Sequence, residues 1–183
     1  MAEPRPTAKT APRTEQRDSR RDAAQSAQRA FAPSLNAVTW ALLQKPHRTP
    51  EENEKMLYAA FASAFHYLEV GEPAHHQRAE WLISRVYSSM NNGREAVRHA
   101  RRCLALTEQN KDALADYDRA FAFEAMARAH AVEGDSQESH KYFKLALDAG
   151  RLIADAENKK VFETEFTSGN WHGVASGVFS LEQ

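Results

Sequence analysis

Apolar side chains recur every three to four residues along most of this chain, which is the spacing of amphipathic α-helices. The pattern breaks at short polar or glycine-containing turns, and these breaks divide the chain into six or seven helices. The predicted helices cover approximately residues 34–45, 50–70, 74–90, 93–107, 115–133, 136–149 and 155–166. Because the turns are short, consecutive helices are expected to pack as antiparallel hairpins.

Three of these helices begin with recognisable capping signals. Thr49 precedes Pro50, which suits the first helical position, and Glu52 completes a capping box. Asn92 and Asp135 are the other two predicted caps, each followed three residues later by a glutamate. Short-range chemistry therefore predicts where these three helices start.

The two ends of the chain differ from its centre. Residues 1–32 contain many Pro, Arg, Gln, Ser and Ala residues but few large apolar ones, so this arm is predicted to be disordered. Residues 33–167 form the predicted helical domain. Residues 168–183 contain several glycines and are predicted to be a flexible tail. Trp171, Val178 and Phe179 are candidates to dock this tail on the helices or on a partner.

An internal repeat emerges when the chain is shifted by 43 residues against itself. Small residues then coincide where two helices would approach closely, and large residues coincide where they would fill the space between helices. The matches place Ile83 on Met126, Ser84 on Ala127, Arg85 on Arg128, Tyr87 on His130, Ala96 on Ser139 and Cys103 on Ala146.

This pattern resembles the tetratricopeptide repeat family, a helix hairpin of about 34 residues. The second unit carries the resemblance through Phe123, Met126, Ala127, His130, Gly134, Asp135, Ser139, Phe143 and Ala146. Three features depart from the family. Asn91 stands where Gly is preferred, neither unit ends in Pro, and the 43-residue offset is longer than the period of the family. The resemblance implies an all-α fold, with antiparallel helix hairpins stacked as a short right-handed superhelix.

The resemblance also implies a binding groove, because tetratricopeptide folds hold peptides on a concave face lined by the first helix of each hairpin. By position, it assigns Trp81, Arg85, Glu124 and Arg128 to that groove. The two arginines would grip an acidic group or a C-terminal carboxylate, and Trp81 would anchor an apolar group. The alternative is that Glu124 and Arg128 only form a local ion pair one helical turn apart.

Two His-x-x-Glu pairs are weaker candidates for a metal site. His66 with Glu69, and His130 with Glu133, each share one helix face, and four such ligands can hold a divalent metal. His130, however, occupies the aromatic position of the repeat, which favours a packed structural ring. We therefore predict no metal site and no cofactor.

The remaining reactive side chains have ordinary interpretations. His99 and His140 are predicted to face solvent from their helices. Cys103 occupies a small-residue packing position, although positive charge from Arg101 and Arg102 could lower the pKa of its thiol. The chain contains no phosphate-binding glycine loop and no esterase serine motif.

Composition limits the classes of function. The 183 residues include 24 Lys and Arg against 25 Asp and Glu, a balance that argues against a dedicated nucleic-acid binder. One cysteine excludes an intramolecular disulfide and a multi-cysteine zinc site. The apolar runs are too short to span a membrane. A soluble, cytoplasmic protein is expected.

Two functions follow as hypotheses. The first is a non-enzymatic helical-repeat adaptor that binds a protein or peptide in the concave groove, as a monomer or weak dimer. The alternative is a small helical enzyme, or a metal- or cofactor-binding protein, with an inter-helical pocket of ionisable groups. That pocket would consist of His66, Glu69, Arg85, Glu124 and His130.

Overall fold

The computed structural model describes residues 13–173, and every regular element in that part is helical. Its α-helices are α1 (Arg13–Leu43), α2 (Pro50–Val70), α3 (Pro73–Ser89), α4 (Gly93–Gln109), α5 (Asp116–Glu133), α6 (Ser136–Arg151) and α7 (Ala156–Thr167). One 3-10 turn, Lys111–Ala113, lies between α4 and α5. The predicted all-α fold class with seven helices is confirmed for these residues. The three predicted caps at Thr49, Asn92 and Asp135 are also present.

Helix α1 differs from the expectation that order begins near residue 34. It starts at Arg13 and crosses the proposed boundary between a disordered arm and the helical domain. Its first half is rich in Ala, Arg and Gln, which favour helix without supplying an apolar pattern. Its second half packs on α2, where Ser63 Oγ donates a 2.7 Å hydrogen bond to the Ala32 carbonyl. Residues 1–12 lie outside the described part.

Each helix packs against the next one in sequence, and α3, α5 and α7 also contact one another in that order. Helix α5 lies at the centre, and every residue from Ala120 to Ala131 is buried. The main core joins α3, α4, α5, α6 and α7, while a smaller cluster of Met56, Ala60, Ile83 and Val86 joins α2 to α3. This arrangement places α3, α5 and α7 side by side, with α5 in the middle.

The hairpins α3–α4 and α5–α6 make related contacts at the 43-residue offset. Ser84 Oγ on α3 donates a 2.9 Å hydrogen bond to the Ala96 carbonyl on α4. In the second hairpin, Ser139 Oγ on α6 donates a 2.7 Å hydrogen bond to the Ala127 carbonyl on α5. The same two positions therefore form the contact in both hairpins, but the donor lies on opposite helices.

Ring stacking follows the same rule. Tyr87 on α3 stacks on His99 of α4 at 5.6 Å between ring centroids, and His130 on α5 stacks on Tyr142 of α6 at 6.0 Å. The tyrosine and the histidine have exchanged helices. His99 is consequently buried, so the prediction that it faces solvent is wrong.

The turns inside the two hairpins also agree. Asn91 has φ +57° and Gly134 has φ +91°, so both residues occupy the left-handed region that ends many helices. Asparagine tolerates this conformation better than most residues because its side chain can hydrogen-bond locally. The departure from glycine at position 91 therefore leaves the turn unchanged.

Helix α7 packs on α6 at a glycine. A Cβ atom on Gly150 would lie 2.3 Å from Phe162 Cε1, so any side chain there would push α7 away. The chain beyond α7 folds back, and Trp171 is buried against Phe143 and Phe166. The expected docking of Trp171 is thus observed, whereas Val178 and Phe179 lie outside the described residues.

Within residues 13–173, none of the helices is both long enough and apolar enough to cross a bilayer.

Candidate functional site

The four residues assigned to the groove lie together on α3 and α5. Trp81 Nε1 donates a 2.9 Å hydrogen bond to Glu124 Oε2, and Arg128 Nε donates one of 2.6 Å to Glu124 Oε1. Arg85 Nη1 lies 3.5 Å from the same oxygen. Glu124 itself is 0% exposed. The two arginines therefore do converge on a carboxylate, but that carboxylate belongs to the protein.

Helix α7 and the segment after it cover this cluster. Arg85 Nη2 forms a 3.2 Å ion pair with Glu165 of α7. Arg128 donates through Nη2 to the Glu165 carbonyl at 3.2 Å and through Nη1 to the Ser168 carbonyl at 3.0 Å. The Trp171 ring centroid lies 4.0 Å from Arg128 Cζ, a cation–π contact. The protein thus binds a short piece of its own chain through main-chain carbonyls and one aromatic ring.

The electrostatics of the cluster are balanced, since two arginines face two glutamates. Burial lowers the pKa of Arg128 to about 10, opposed by the Glu124 carboxylate and reinforced by the charge of Arg85. A buried guanidinium in this position depends on its carboxylate partner, because an uncompensated buried charge is strongly unfavourable. The predicted local pairing of Glu124 with Arg128 therefore exists, as part of a larger buried network.

A polar cavity of about 490 Å³ opens beside this network. It lies between the C-terminal end of α1 and the segment after α7, with Gln44, Asn170 and His172 at its rim. Two buried donors that line it, Arg85 Nε and Ser88 Oγ, have no hydrogen-bond partner among the described residues. Both atoms are themselves buried, so an acceptor in the cavity reaches them only when neighbouring side chains move.

A second cavity of about 280 Å³ lies on the other side of Trp40 and Glu165, which line both cavities. Its walls are largely aromatic, formed by Trp40, Trp81, Tyr117 and Phe121. Most small-molecule and side-chain pockets are apolar with a few polar groups, and this cavity fits that description.

Three of the polar residues that line the second cavity, Gln77, Arg78 and Asp118, were not singled out in the sequence. Arg78 pairs with buried Asp118 through two hydrogen bonds, of 2.8 and 2.9 Å, and this pairing raises the pKa of Arg78. Gln77 Nε2 donates to the Asp118 carbonyl, but the buried Gln77 Oε1 has no hydrogen-bond partner within residues 13–173. Asp118 also accepts from the Ala115 N–H and so caps α5. Only that capping role had a signal in the sequence.

The two His-x-x-Glu pairs are not brought together. His66 on α2 contacts Gln28 and the Phe31 ring of α1, whereas His130 on α5 stacks on α6. His130 Nδ1 lies 3.4 Å from Glu133. Across residues 13–173, no group of three or more His, Cys, Asp or Glu side chains is arranged to hold a metal ion. The alternative hypothesis requires His66 and His130 to line one pocket. They do not, because the His66 ring packs on α1 and the His130 ring packs on α6.

Cys103 lies on α4, and its side chain is buried in the core. Gln77 Nε2 donates to its sulfur at 3.2 Å, and Arg101 and Arg102 are exposed on the other side of the helix. Burial raises the pKa of the Cys103 thiol well above its usual range, and the nearby carboxylates add to this. The interpretation that the two arginines lower this pKa is therefore wrong.

Comparison with known proteins adds no family to this description. The chain matches no protein-family model, no curated protein and no solved structure.

Proposed function

We propose that this protein is a non-enzymatic adaptor of the cytoplasm, similar to tetratricopeptide proteins, that binds a peptide along the face formed by α1, α3, α5 and α7. The observation that carries the proposal is the pair of adjoining cavities on that face. One is polar and adjoins two buried donors, Arg85 Nε and Ser88 Oγ, that have no partner among residues 13–173, and the other has an aromatic lining. A peptide needs both features, because its main chain supplies acceptors and its side chains supply apolar anchors.

The protein's own segment from Glu165 to Trp171 supports this ligand class. Arg128 holds that segment by its main-chain carbonyls and by the face of Trp171. This recognition does not depend on most side chains of the bound segment. A partner peptide would be held in the neighbouring cavities by the same kinds of contact.

The chemistry of the ligand follows from the charges already present. Because Arg85 and Arg128 are paired with Glu124 and Glu165, the face is close to neutral. The unpaired Arg85 Nε–H and Ser88 hydroxyl are suited to a carbonyl or to a C-terminal carboxylate. The aromatic cavity is suited to a single apolar side chain of the partner.

The test begins with a displayed library of random peptides selected on the full-length chain. The affinity of the best peptide is then measured by fluorescence anisotropy for wild type and for three tryptophan variants. Gln44→Trp narrows the polar cavity and Asn36→Trp narrows the aromatic one, while Gln137→Trp lies on the exposed face of α6. We expect each of the first two to weaken binding by about tenfold or more, and the third to leave it unchanged.

The outcomes separate the proposal from its alternatives. Selection of no peptide, or equal affinity for all four proteins, would contradict binding on this face. Comparing the free and amidated C-terminus of the selected peptide then decides between a terminal carboxylate and an internal carbonyl. A carboxylate ligand predicts a loss on amidation, and an internal carbonyl predicts none.

A further inference from the structure

Helix α2 presents a continuous apolar stripe to solvent. Tyr58, Phe61, Phe65 and Leu68 are spaced three, four and three residues apart, so they lie along one side of the helix. Each is between 36% and 66% exposed. This is the spacing of the seam between two helices of a coiled coil. Helix α2 packs on α1 and α3, and within the stripe the Phe61 ring also contacts Tyr87 of α3 and His99 of α4 at its edge.

The stripe continues onto α1 and belongs to the first hairpin of the stack. Phe31 is exposed beside it, with the His66 ring between Phe31 and Phe65 at centroid distances of 5.4 and 5.8 Å. A shallow groove of about 460 Å³, lined by apolar groups such as Leu35 and Val38, runs between α1 and α2. The end units of helical stacks normally have a polar outer face, so an apolar end indicates a surface that is covered by something.

The exposed area has the size that one side of a protein interface requires. The four exposed aromatic residues and Leu68 together expose about 500 Å² of mostly apolar surface, given that an aromatic side chain buries about 150–250 Å² in full. A standard interface buries about 800 Å² per partner, of which about 56–65% is apolar. Ala62 and Ala64 flank the stripe and are small enough to let a second helix approach closely.

The arrangement of the stripe identifies its occupant. Large residues lie symmetrically about Ser63, with Tyr58 and Phe61 on one side and Phe65 and Leu68 on the other. A two-fold axis at that point would pair Tyr58 with Leu68 and Phe61 with Phe65 of an antiparallel copy. A surface that complements itself under a two-fold axis is the requirement for a symmetric dimer. We propose that a second copy of this chain covers the stripe, in an antiparallel α2–α2 dimer.

The first test is the mass of the full-length chain in solution. Light scattering and sedimentation between about 1 and 200 µM should show two chains per particle at the upper end. Phe65→Glu places a charge in the seam and should raise the dimer dissociation constant by about tenfold or more. Leu152→Glu is the matched control, because Leu152 is 80% exposed and lies outside the stripe. Circular dichroism of both variants should first show the helical content of wild type.

A single chain per particle for wild type at about 200 µM would overturn the proposal. So would equal dissociation constants for Phe65→Glu and Leu152→Glu. The main rival occupant is the chain's own segment 174–183, which contains Val178 and Phe179. If deletion of residues 174–183 converted a monomer into a dimer, that segment would be the occupant and the proposal would be wrong.

Disulfide crosslinking tests the antiparallel arrangement. A mixture of Tyr58→Cys and Leu68→Cys chains should form mixed disulfides, since these positions face each other across the two-fold axis. Native Cys103 is buried and contributes no background. Disulfides between two Tyr58→Cys chains without mixed products would indicate a parallel pair and contradict the proposed arrangement.

Discussion

Hairpin α3–α4 and hairpin α5–α6 make the same inter-helix contacts with exchanged side chains. The serine that bridges the helices lies on α3 in the first hairpin and on α6 in the second. The stacked tyrosine and histidine are exchanged in the same way. The comparison shows that what recurs at the 43-residue offset is the contact between two positions, while the residue at either position is free to vary.

The hairpins differ where they face the groove. Trp81 of the first hairpin and Glu124 of the second occupy equivalent positions and bond to each other. Glu124 brings a charge into the core and is accompanied by Arg128, whereas Trp81 packs between the rings of Trp40 and Phe121. The second hairpin therefore contains a buried charge pair between its own residues, to which the first hairpin adds Arg85, and α7 is the helix that covers it.

The largest effect is expected from a substitution that removes the Glu124 carboxylate, the charge that distinguishes the second hairpin. Glu124→Ala leaves Arg128 buried without its carboxylate and should lower the free energy of unfolding by about 3–5 kcal/mol. The equivalent change in the first hairpin, Trp81→Phe, keeps one stacked ring but leaves Glu124 Oε2 without its donor, so a loss of about 1.5–3 kcal/mol is expected. Urea denaturation followed by circular dichroism measures both values.

Glu124→Gln serves as the milder variant if Glu124→Ala does not fold. It keeps one acceptor oxygen, for Arg128 or for Trp81 but not for both, and it removes the charge, so its loss should lie between the other two. A loss for Glu124→Ala no greater than that for Trp81→Phe would contradict the distinction drawn between the hairpins.

A smaller effect is expected at Gly93, the first residue of α4 in the first hairpin. A Cβ atom on Gly93 would lie 2.5 Å from the backbone of Glu133 at the end of α5. Gly93→Ala should therefore destabilise the protein by about 1–3 kcal/mol, as expected for overpacking. Ser136, the equivalent residue of the second hairpin, is exposed, and Ser136→Ala should change stability by less than about 0.5 kcal/mol. Thermal and urea unfolding of both variants give the comparison, and equal losses would refute the proposed close contact.

Local signals predicted much of the fold. The caps at Thr49, Asn92 and Asp135 act within three residues, so helix starts could be placed to within a residue. The first half of α1 was missed because an exposed helix of Ala, Arg and Gln lacks the apolar periodicity on which the prediction depended.

The candidate site was only partly predictable, for a different reason. The resemblance to tetratricopeptide repeats, applied to the two units, assigned Trp81, Arg85, Glu124 and Arg128 to one surface. Their burial depends on Glu165, which lies 80 residues from Arg85 in sequence, and on the segment after α7. The hydrogen bonds of Gln77 likewise depend on Thr107 of α4 and Asp118 of α5. Contacts between distant segments leave no periodic trace in a single sequence.

The smallest expected effect concerns Cys103, whose equivalent in the second hairpin is Ala146. Burial raises the pKa of the Cys103 thiol in the folded protein. Above the pKa of the unfolded thiol, about 8.5, the folded state therefore holds a proton that the unfolded state has lost. The contribution of the buried thiol to the free energy of unfolding is fully present below that pH. It is lost as the pH rises, and the free energy of unfolding falls by about 1 kcal/mol between pH 8 and pH 9.5.

Cys103→Ala, which gives the first hairpin the residue of the second, removes this titration. Unfolding free energies measured by urea at several pH values should fall for wild type and stay level for the variant. Tyr67, Tyr87 and Tyr117 also have raised pKa values, but their unfolded forms titrate only near pH 10, so they contribute little to this window. Equal slopes for the two proteins would show that the thiol is not protected by its burial. In that case a thiol reagent should also label Cys103 without unfolding, whereas protection predicts labelling only when the core opens.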